Sequence, residues 1–505
     1  MKRVFRIAAV IYVLTLSALI VAYIHVSVVQ VEVALHLQAP KVWYKDAPNA
    51  LRGVIMDGPT GRMLTGARLN FTQGEESFSK GKSEGHGYVQ MPIEAPKAGR
   101  LSANVRVEHT SIEPYTAPFE VEVAAGVPAW QWPKLKTRVV PEPGRSTEVK
   151  DPSHTGELRV EPMLASKELV RGLPNTVWFR VIDTAGAPVD ARVEVEKLSG
   201  LQDLELPQTI IVQHGLFSLN LQPVTALKLE FKAVDGERMG ESEVWLTSVA
   251  AQYVLRMQES FLTPEGSAKG HVQALTRQSG LLVDTYIDGH WQAASAFRVA
   301  NHEGGIEVFH GPGRMARVQI YESFFGVGTA WDSRYVVLTD ELGVKGCRDA
   351  LRHALRLVDT AGQKVWAEAM MWRVGGFELR ECNRVLEATL QLIPTNFEEP
   401  PVLLSTKAQD QEKLDAWIAE VQGRIMIAIV FALLIGFLFV VVLVVQGVAA
   451  RRTQAMAMLE ASDLEDGEDE IIERFGPLLF YTQVAILLGT VGLFGAGLVL
   501  ILGLL

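Results

Sequence analysis

Three long apolar stretches constrain this chain more than any other feature. Residues 425–447 and 477–505 contain no charged residue, and each exceeds the ~18 residues needed for a membrane-spanning helix. Residues 7–24 form a shorter stretch behind Lys2, Arg3 and Arg6. A basic start with an apolar centre fits a signal peptide or an anchor. Ala22 has Ile20 two positions before it, a poor match to a small-x-small cleavage site, so an uncleaved anchor is the preferred reading. The expectation is three transmembrane helices: 1–30 with its cytoplasmic start, 425–447 and 477–505.

Lys and Arg near the ends of spans set orientation. Lys2, Arg3 and Arg6 place the N-terminus inside, and Arg451 and Arg452 place the end of the second span inside. The residues between lie outside, and the third span leads outward again. The inner loop, 448–476, is acidic: Glu460, Asp463, Glu465, Asp466, Glu468, Asp469, Glu470 and Glu473 face three arginines. Acids weigh little in topology. The loop reads as a solvated connector, or as a docking strip for a basic partner.

The exported part reads as β-structure. Val121-Glu122-Val123 and Arg192-Val193-Glu194-Val195-Glu196 alternate apolar and polar residues, the period of half-buried strands. Asp57-Gly58-Pro59, Asp235-Gly236 and Asp288-Gly289 punctuate the runs as turns. A motif recurs. Val181-Ile182-Asp183-Thr184-Ala185-Gly186 resembles Leu357-Val358-Asp359-Thr360-Ala361-Gly362, with a looser copy at Ile55-Met56-Asp57 followed by Thr60-Gly61. Each copy reads as strand, tight turn, strand: the Asp bonds the backbone beyond it and the Gly takes positive φ. Such repetition suggests a tandem array.

Two segments carry a family resemblance. Trp43-Tyr44-Lys45-Asp46-Ala47-Pro48 and Leu169-Val170-Arg171-Gly172-Leu173-Pro174-Asn175-Thr176 resemble opening strands of macroglobulin domains in bacterial alpha-2-macroglobulin-like proteins. The resemblance covers residues 40–340 and implies Ig-like β-sandwiches in series. The thioester of protease-trapping members is missing, since Cys347 precedes Arg348 and Cys382 precedes Asn383. The expected fold class is therefore a mainly β ectodomain of tandem Ig/macroglobulin-like sandwiches plus the three transmembrane helices. The expected division is sandwich 1 at 31–127, a Pro-rich linker at 128–156, sandwich 2 at 157–255, a third β unit at 256–343, a small mixed unit at 344–402 and a stalk helix at 403–424.

Chemistry-bearing clusters are few. Cys347 and Cys382 lie outside the membrane on this topology, where thiols are oxidised, so a disulfide is the preferred reading over a reactive cysteine. His271, His290, His302 and His310 gather in the third unit near Asp288, but no H-E-x-x-H is present, and scattered histidines are preferred over a metal site. No nucleophile elbow, Walker A loop or dinucleotide fingerprint occurs. No cofactor, metal or catalytic residue is expected. A net charge of −10 argues against nucleic acid as a partner.

Small residues line two spans. Ala428, Ala432 and Gly436 recur every fourth position, and Ala485, Gly489, Gly492 and Ala496 share a second face. In lipid, such faces let helices approach closely, either within the chain or against another membrane subunit. Both spans lack charged residues, which argues against an ion-driven motor or proton pump in this chain alone. The expected function is a non-enzymatic scaffold or adaptor in the bacterial inner membrane, mostly periplasmic, within a multiprotein envelope complex. Its partners would be other membrane or periplasmic proteins, itself, and the bilayer. The alternative is an ectodomain that binds a ligand and signals through a separate cytoplasmic effector.

Overall fold

The computed structural model describes residues 2–27, 33–85, 87–127, 153–164, 168–201, 207–322, 324, 331–358, 363–395 and 397–462. The third apolar stretch, residues 463–476 of the acidic loop and most of the Pro-rich linker lie outside the described residues. The chain forms two compact units, one of Val33–Thr406 and one of Met1–Glu32 with Lys407–Leu505. The described residues are mainly β.

The first module packs a four-stranded sheet on a five-stranded one. The four-stranded sheet runs, in spatial order, Val402–Ser405, Val33–Gln38, Asn49–Asp57, Tyr88–Ile93. The five-stranded sheet runs Val42–Tyr44, Ile112–Ala124, Gly99–His109, Arg68–Gln73, Glu76–Lys82. Leu35, Leu51 and Ile55 from one face meet Phe71, Val105 and Phe119 from the other. The alternation read at Val121-Glu122-Val123 is seen as Val121 and Val123 buried and Glu122 exposed, as a one-face-buried strand requires.

The second module pairs Leu158–Pro162, Asn175–Asp183 and Leu216–Leu221 against a sheet that includes Glu168–Val170, Arg238–Val249, Pro223–Asp235 and Arg192–Leu201. Phe179, Phe217 and Phe231 centre its core. The third module is one eight-stranded path from Tyr253–Met257 to Phe261–Leu262. Its ends approach one another: Leu255 N donates to the Asp332 carboxylate at 2.8 Å.

All three modules share one opening. Val33–Gln38, Leu158–Pro162 and Tyr253–Met257 each pair antiparallel with the second long strand of their module. The chain then crosses over, and a short strand pairs parallel with the module's last strand: Val42–Tyr44 with Ile112–Ala124, Glu168–Val170 with Arg238–Val249, and Phe261–Leu262 with Trp331–Leu338. The tandem array is thus visible as repeated topology.

The turn motif behaves as expected in two of its three copies. Asp183 Oδ1 accepts from Ala185 N and Ala187 N, both at 2.9 Å, and Gly186 has φ +86°. Asp57 O accepts from Gly61 N at 2.8 Å, and Gly61 has φ +66°. The third copy departs from the expectation. Leu357 ends helix α2 (Gly343–Leu357), and Lys364 opens helix α3 (Lys364–Arg373), while residues 359–362 lie outside the described residues. The reason is the flanking pattern. Cys347, Ala350, Leu351, Ala354 and Leu355 are buried at helical spacing, which overrides a local resemblance of six residues.

The expected small mixed unit is helical up to Gln391. After α3, helix α4 (Leu379–Gln391) begins with a capping box in which Glu378 and Glu381 exchange bonds, satisfying N-terminal donors. The expected stalk does not start as helix. Val402–Ser405 is a strand that pairs antiparallel with Val33–Gln38, and helix follows over Thr406–Ser462. Thr406 Oγ1 accepts from Leu35 N at 3.0 Å. The first module is therefore completed by residues that follow the other two.

In the helical unit, α1 (Lys2–Ser27) packs on α5 (Thr406–Ser462) through Leu16 and Ile429. Among the described residues, Asp410–Gln454 is the one helical stretch long and apolar enough to cross a membrane, while Tyr12–Val26 is a shorter apolar helix.

Candidate functional site

The second long strand of the first module is buried on both faces. Along Asn49–Asp57, Leu51 and Ile55 point into the sandwich, while Ala50 and Val54 meet Trp291, Tyr321 and Trp331 of the third module. Arg52 lies on that outer face with no exposure. It pairs with Asp284 at 2.9 Å, also fully buried. Its guanidinium donates to Val283 O at 2.9 Å, to Ser295 O at 3.2 Å and to the Tyr321 hydroxyl, and it sits over the Trp291 and Tyr321 rings. Burial raises the Asp284 carboxyl above its usual range, opposed by Arg52. A buried pair with this many bonds fixes geometry more than it adds stability.

A second joint lies nearby. Arg317 pairs with Glu398 and stacks over Tyr286 at 4.4 Å. Gln319 Nε2 donates to Glu398 O at 2.9 Å, and Glu398 N donates back to Gln319 Oε1 at 2.9 Å. The returning segment is thereby fastened to the third module before it reaches the first. An open cleft of about 690 Å³ borders this joint, with Tyr44, His290, Trp291 and Glu399 in its wall. His290 is buried, its Nε2 3.2 Å from Pro48 O. Burial pushes its pKa down to about 4, so it is neutral at neutral pH.

The helices join the other two modules. Trp178 and Ile182 of the second module, Met315 and Tyr335 of the third, and Leu351 and Leu386 of the helices share one core. A smaller cleft of about 210 Å³ opens where these three parts meet. It holds Arg256, Arg334, Glu259, Asp332 and Glu387, with Arg334 paired to Asp332 at 2.8 Å.

The residues singled out in the sequence fall as follows. Cys347 and Cys382 are disulfide-bonded, with Cα atoms 6.1 Å apart, and the bond joins the first buried turns of α2 and α4. The histidines do not converge. His302 Nδ1 lies 3.2 Å from Ala274 O, His271 lies 3.9 Å from Glu303, and His290 faces Pro48. Asp288 caps a turn by accepting from Arg314 N and Met315 N. Among the described residues no group of His, Cys, Asp or Glu could hold a metal. Ala428 and Ala432 are half-buried and Gly436 is buried. A Cβ at Gly436 would strike Tyr12 of α1, so the described neighbour of this face is the first apolar helix. Ala485, Gly489, Gly492 and Ala496 lie outside the described residues.

Sequence reasoning missed Arg52, Asp284, Arg317 and Glu398. It also missed the exposed face of α3, where Trp372 is 90% and Val365 42% exposed. The α3 face was legible from its spacing of seven; the buried charges carried no local signal.

No family model matches the chain, and no curated protein does. Among solved structures it is similar to a mutant Salmonella alpha-2-macroglobulin, with 11% identity over 61% of this chain and 23% of that one, TM-score 0.16. It is similar to the native conformation of E. coli alpha-2-macroglobulin, with 9% identity over 61% and 22%, TM-score 0.17. It is also similar to dimeric latent PorU from Porphyromonas gingivalis, with 12% identity over 61% and 34%, TM-score 0.22. The chain spans about a quarter to a third of the length of these proteins. The likeness concerns the β fold alone.

Proposed function

We propose that the chain is a non-enzymatic scaffold or adaptor of a multiprotein envelope complex. On this reading, three macroglobulin-like modules and the helices α2–α4 stand in the periplasm, held to the inner membrane by three apolar segments at 7–24, 425–447 and 477–505. The observation that carries it is the set of joints between modules: the buried Arg52–Asp284 pair, the Glu398 fastening and the core shared by the helices and two β modules. Beads on a flexible string would need none of these, whereas a part that must hold partners at fixed separation does. The exposed Trp372 and Val365 on α3 suit a protein contact, because a large aromatic in water gains most from burial.

The test is crosslinking in cells. A photo-reactive residue in place of Trp372 should yield a discrete adduct, and mild detergent should recover the chain with partners. A chain that always purifies alone and monomeric, with no adduct, refutes the scaffold role. Reporter tags after residues 140, 465 and 505 should read external, cytoplasmic and external; a cytoplasmic signal at 140 refutes the membrane topology.

A further inference from the structure

The five-stranded sheet of the first module ends on Glu76–Lys82, a strand of 7 residues. Arg68–Gln73 pairs with one side of it. Among the described residues no strand pairs with the other side. The opposite end of the sheet, Val42–Tyr44, has 3 residues, and Asn49 there accepts from Tyr44 N and donates to Tyr44 O. Thr209–Ile211, an end strand of the second module, is equally short. Glu76–Lys82 thus offers a longer row of backbone donors and acceptors, a template on which an extended chain can add.

The side chains give this edge a sign. Leu69, Phe71, Val105 and Val107 point into the sandwich, so Arg68, Asn70, Arg106 and Glu108, which alternate with them, lie on the outer face. Lys82 stands directly opposite Arg68, and Lys80 opposite Asn70, which puts both lysines on that outer face. Arg68, Lys80 and Lys82 are exposed, and none has an ionic partner among the described residues. The acids nearby do not neutralise them. Glu108 lies opposite Arg68 on the next strand but pairs with Arg106 at 2.9 Å. Glu76 opens the strand opposite Gln73, and Glu84 lies just past its end. Like charges directly opposite destabilise a sheet, and here they gather on a chain whose net charge is −10. The fold itself gains nothing from a lysine facing Arg68.

We propose that this edge receives an extended acidic segment of a partner protein as an added strand, with carboxylates on alternate residues beside Lys80, Lys82 and Arg68. In strand addition the backbone ladder supplies affinity, and complementary charge selects the partner and its register. Lysines on an edge repel a second copy of the same edge, so this strand rejects itself and admits an acidic one. The surface stands or falls separately from the scaffold role.

Hydrogen exchange on the full-length chain in detergent tests this with short synthetic peptides. One alternates Glu and Thr, and one alternates Lys and Thr. A third is the Glu–Thr peptide N-methylated throughout, which keeps the charge and removes the backbone donors. The Glu–Thr peptide should slow exchange within Glu76–Lys82 at concentrations about tenfold or more below those at which either other peptide does, and leave Leu216–Leu221 unchanged. Lys80→Glu with Lys82→Glu should transfer the protection to the Lys–Thr peptide. Equal protection by the methylated peptide would mean a bare patch for polyanions or anionic lipid, and equal protection by the Lys–Thr peptide an edge without charge preference; either overturns the proposal. So does protection elsewhere in place of this strand, no protection, or an unchanged preference in the double variant. The contrast among peptides is read on the unmodified chain, so it decides even if the double variant does not fold.

Discussion

Asn49 of the first module and Asn175 of the second occupy equivalent positions and make the same bonds. Asn49 Oδ1 accepts from Tyr44 N at 2.7 Å, and its Nδ2 donates to the carbonyls of Tyr44, Ala47 and Ile93. Asn175 Oδ1 accepts from Val170 N at 2.9 Å, and its Nδ2 donates to the carbonyls of Val170, Leu173 and Leu221. Each sits five residues beyond the strand that crosses between sheets, directly after a proline. Each stitches the crossover to the strand that follows. Replacing either by Ala leaves buried backbone groups unpaired, at roughly 1–3 kcal/mol apiece. Asn49→Ala and Asn175→Ala should each lower stability by at least about 2 kcal/mol in denaturant titration. Asp at either place should fare no better, because it cannot donate to the carbonyls. A loss below half a kcal/mol would show that water replaces the side chain.

The Arg52–Asp284 pair should be strongly non-additive. Arg52→Met strands a buried carboxylate, and Asp284→Leu strands a buried guanidinium, each at about 3–5 kcal/mol. Removing both leaves apolar groups at the joint, so the double variant should be more stable than the sum of the two losses predicts. Unfolding of all three variants measures this, and simple additivity would mean that the pair is not coupled in solution.

His290 makes stability depend on pH. Its folded pKa, about 4, lies below the unfolded value of about 6.5. Between these values the unfolded chain binds a proton that the folded chain does not, so stability falls as pH drops from about 6.5 to 4 and no further below. The largest contribution is about 3 kcal/mol. His36 and His353 are lowered by burial too and slope the same way. The His290→Gln variant should therefore show a shallower acid slope than the parent, and identical slopes would place His290 in solvent.

Cys347 and Cys382 should be unreactive towards thiol reagents until the protein is reduced and unfolded, since both are fully buried. Cys347→Ser with Cys382→Ser should cost about 2–5 kcal/mol. The loss should be concentrated in α2, α3 and α4, read as faster hydrogen exchange there than in the first module. Free thiol in the native protein would overturn this.

Gly436→Leu should separate α1 from α5. Cysteines at Leu16 and Ile429, which pack together, should crosslink efficiently in the parent and poorly with Leu at 436. Val442→Leu, at an exposed position of the same helix, should leave crosslinking unchanged. Equal yields in all three would mean that Gly436 does not set the approach of the two helices.

Much of the molecule was legible in short stretches of sequence. Strands were readable at Val121-Glu122-Val123 because a two-residue period needs only one buried face. The turns at Asp57 and Asp183 were readable because their bonds close within a few residues. The same reading failed at Leu357 and Lys364, which lie in helices rather than strands, because the flanks carry the 3.6-residue period of α2.

The apolar stretches, the strand periods and the turn chemistry are properties of near neighbours, and the sequence by itself determined them. Tertiary structure decided what depends on distant faces. Arg52 occupies an alternate position of a strand, which by period alone belongs to solvent, and it is buried only because the third module covers that face. Val402–Ser405 is too short to announce itself and becomes a strand because Val33–Gln38 offers it an open edge. The cleft at Arg256 has walls from three parts of the chain, so no single stretch contains it. Backbone pairing and charge burial between remote segments are set by the whole packing, because the energy of each group depends on what excludes water from it.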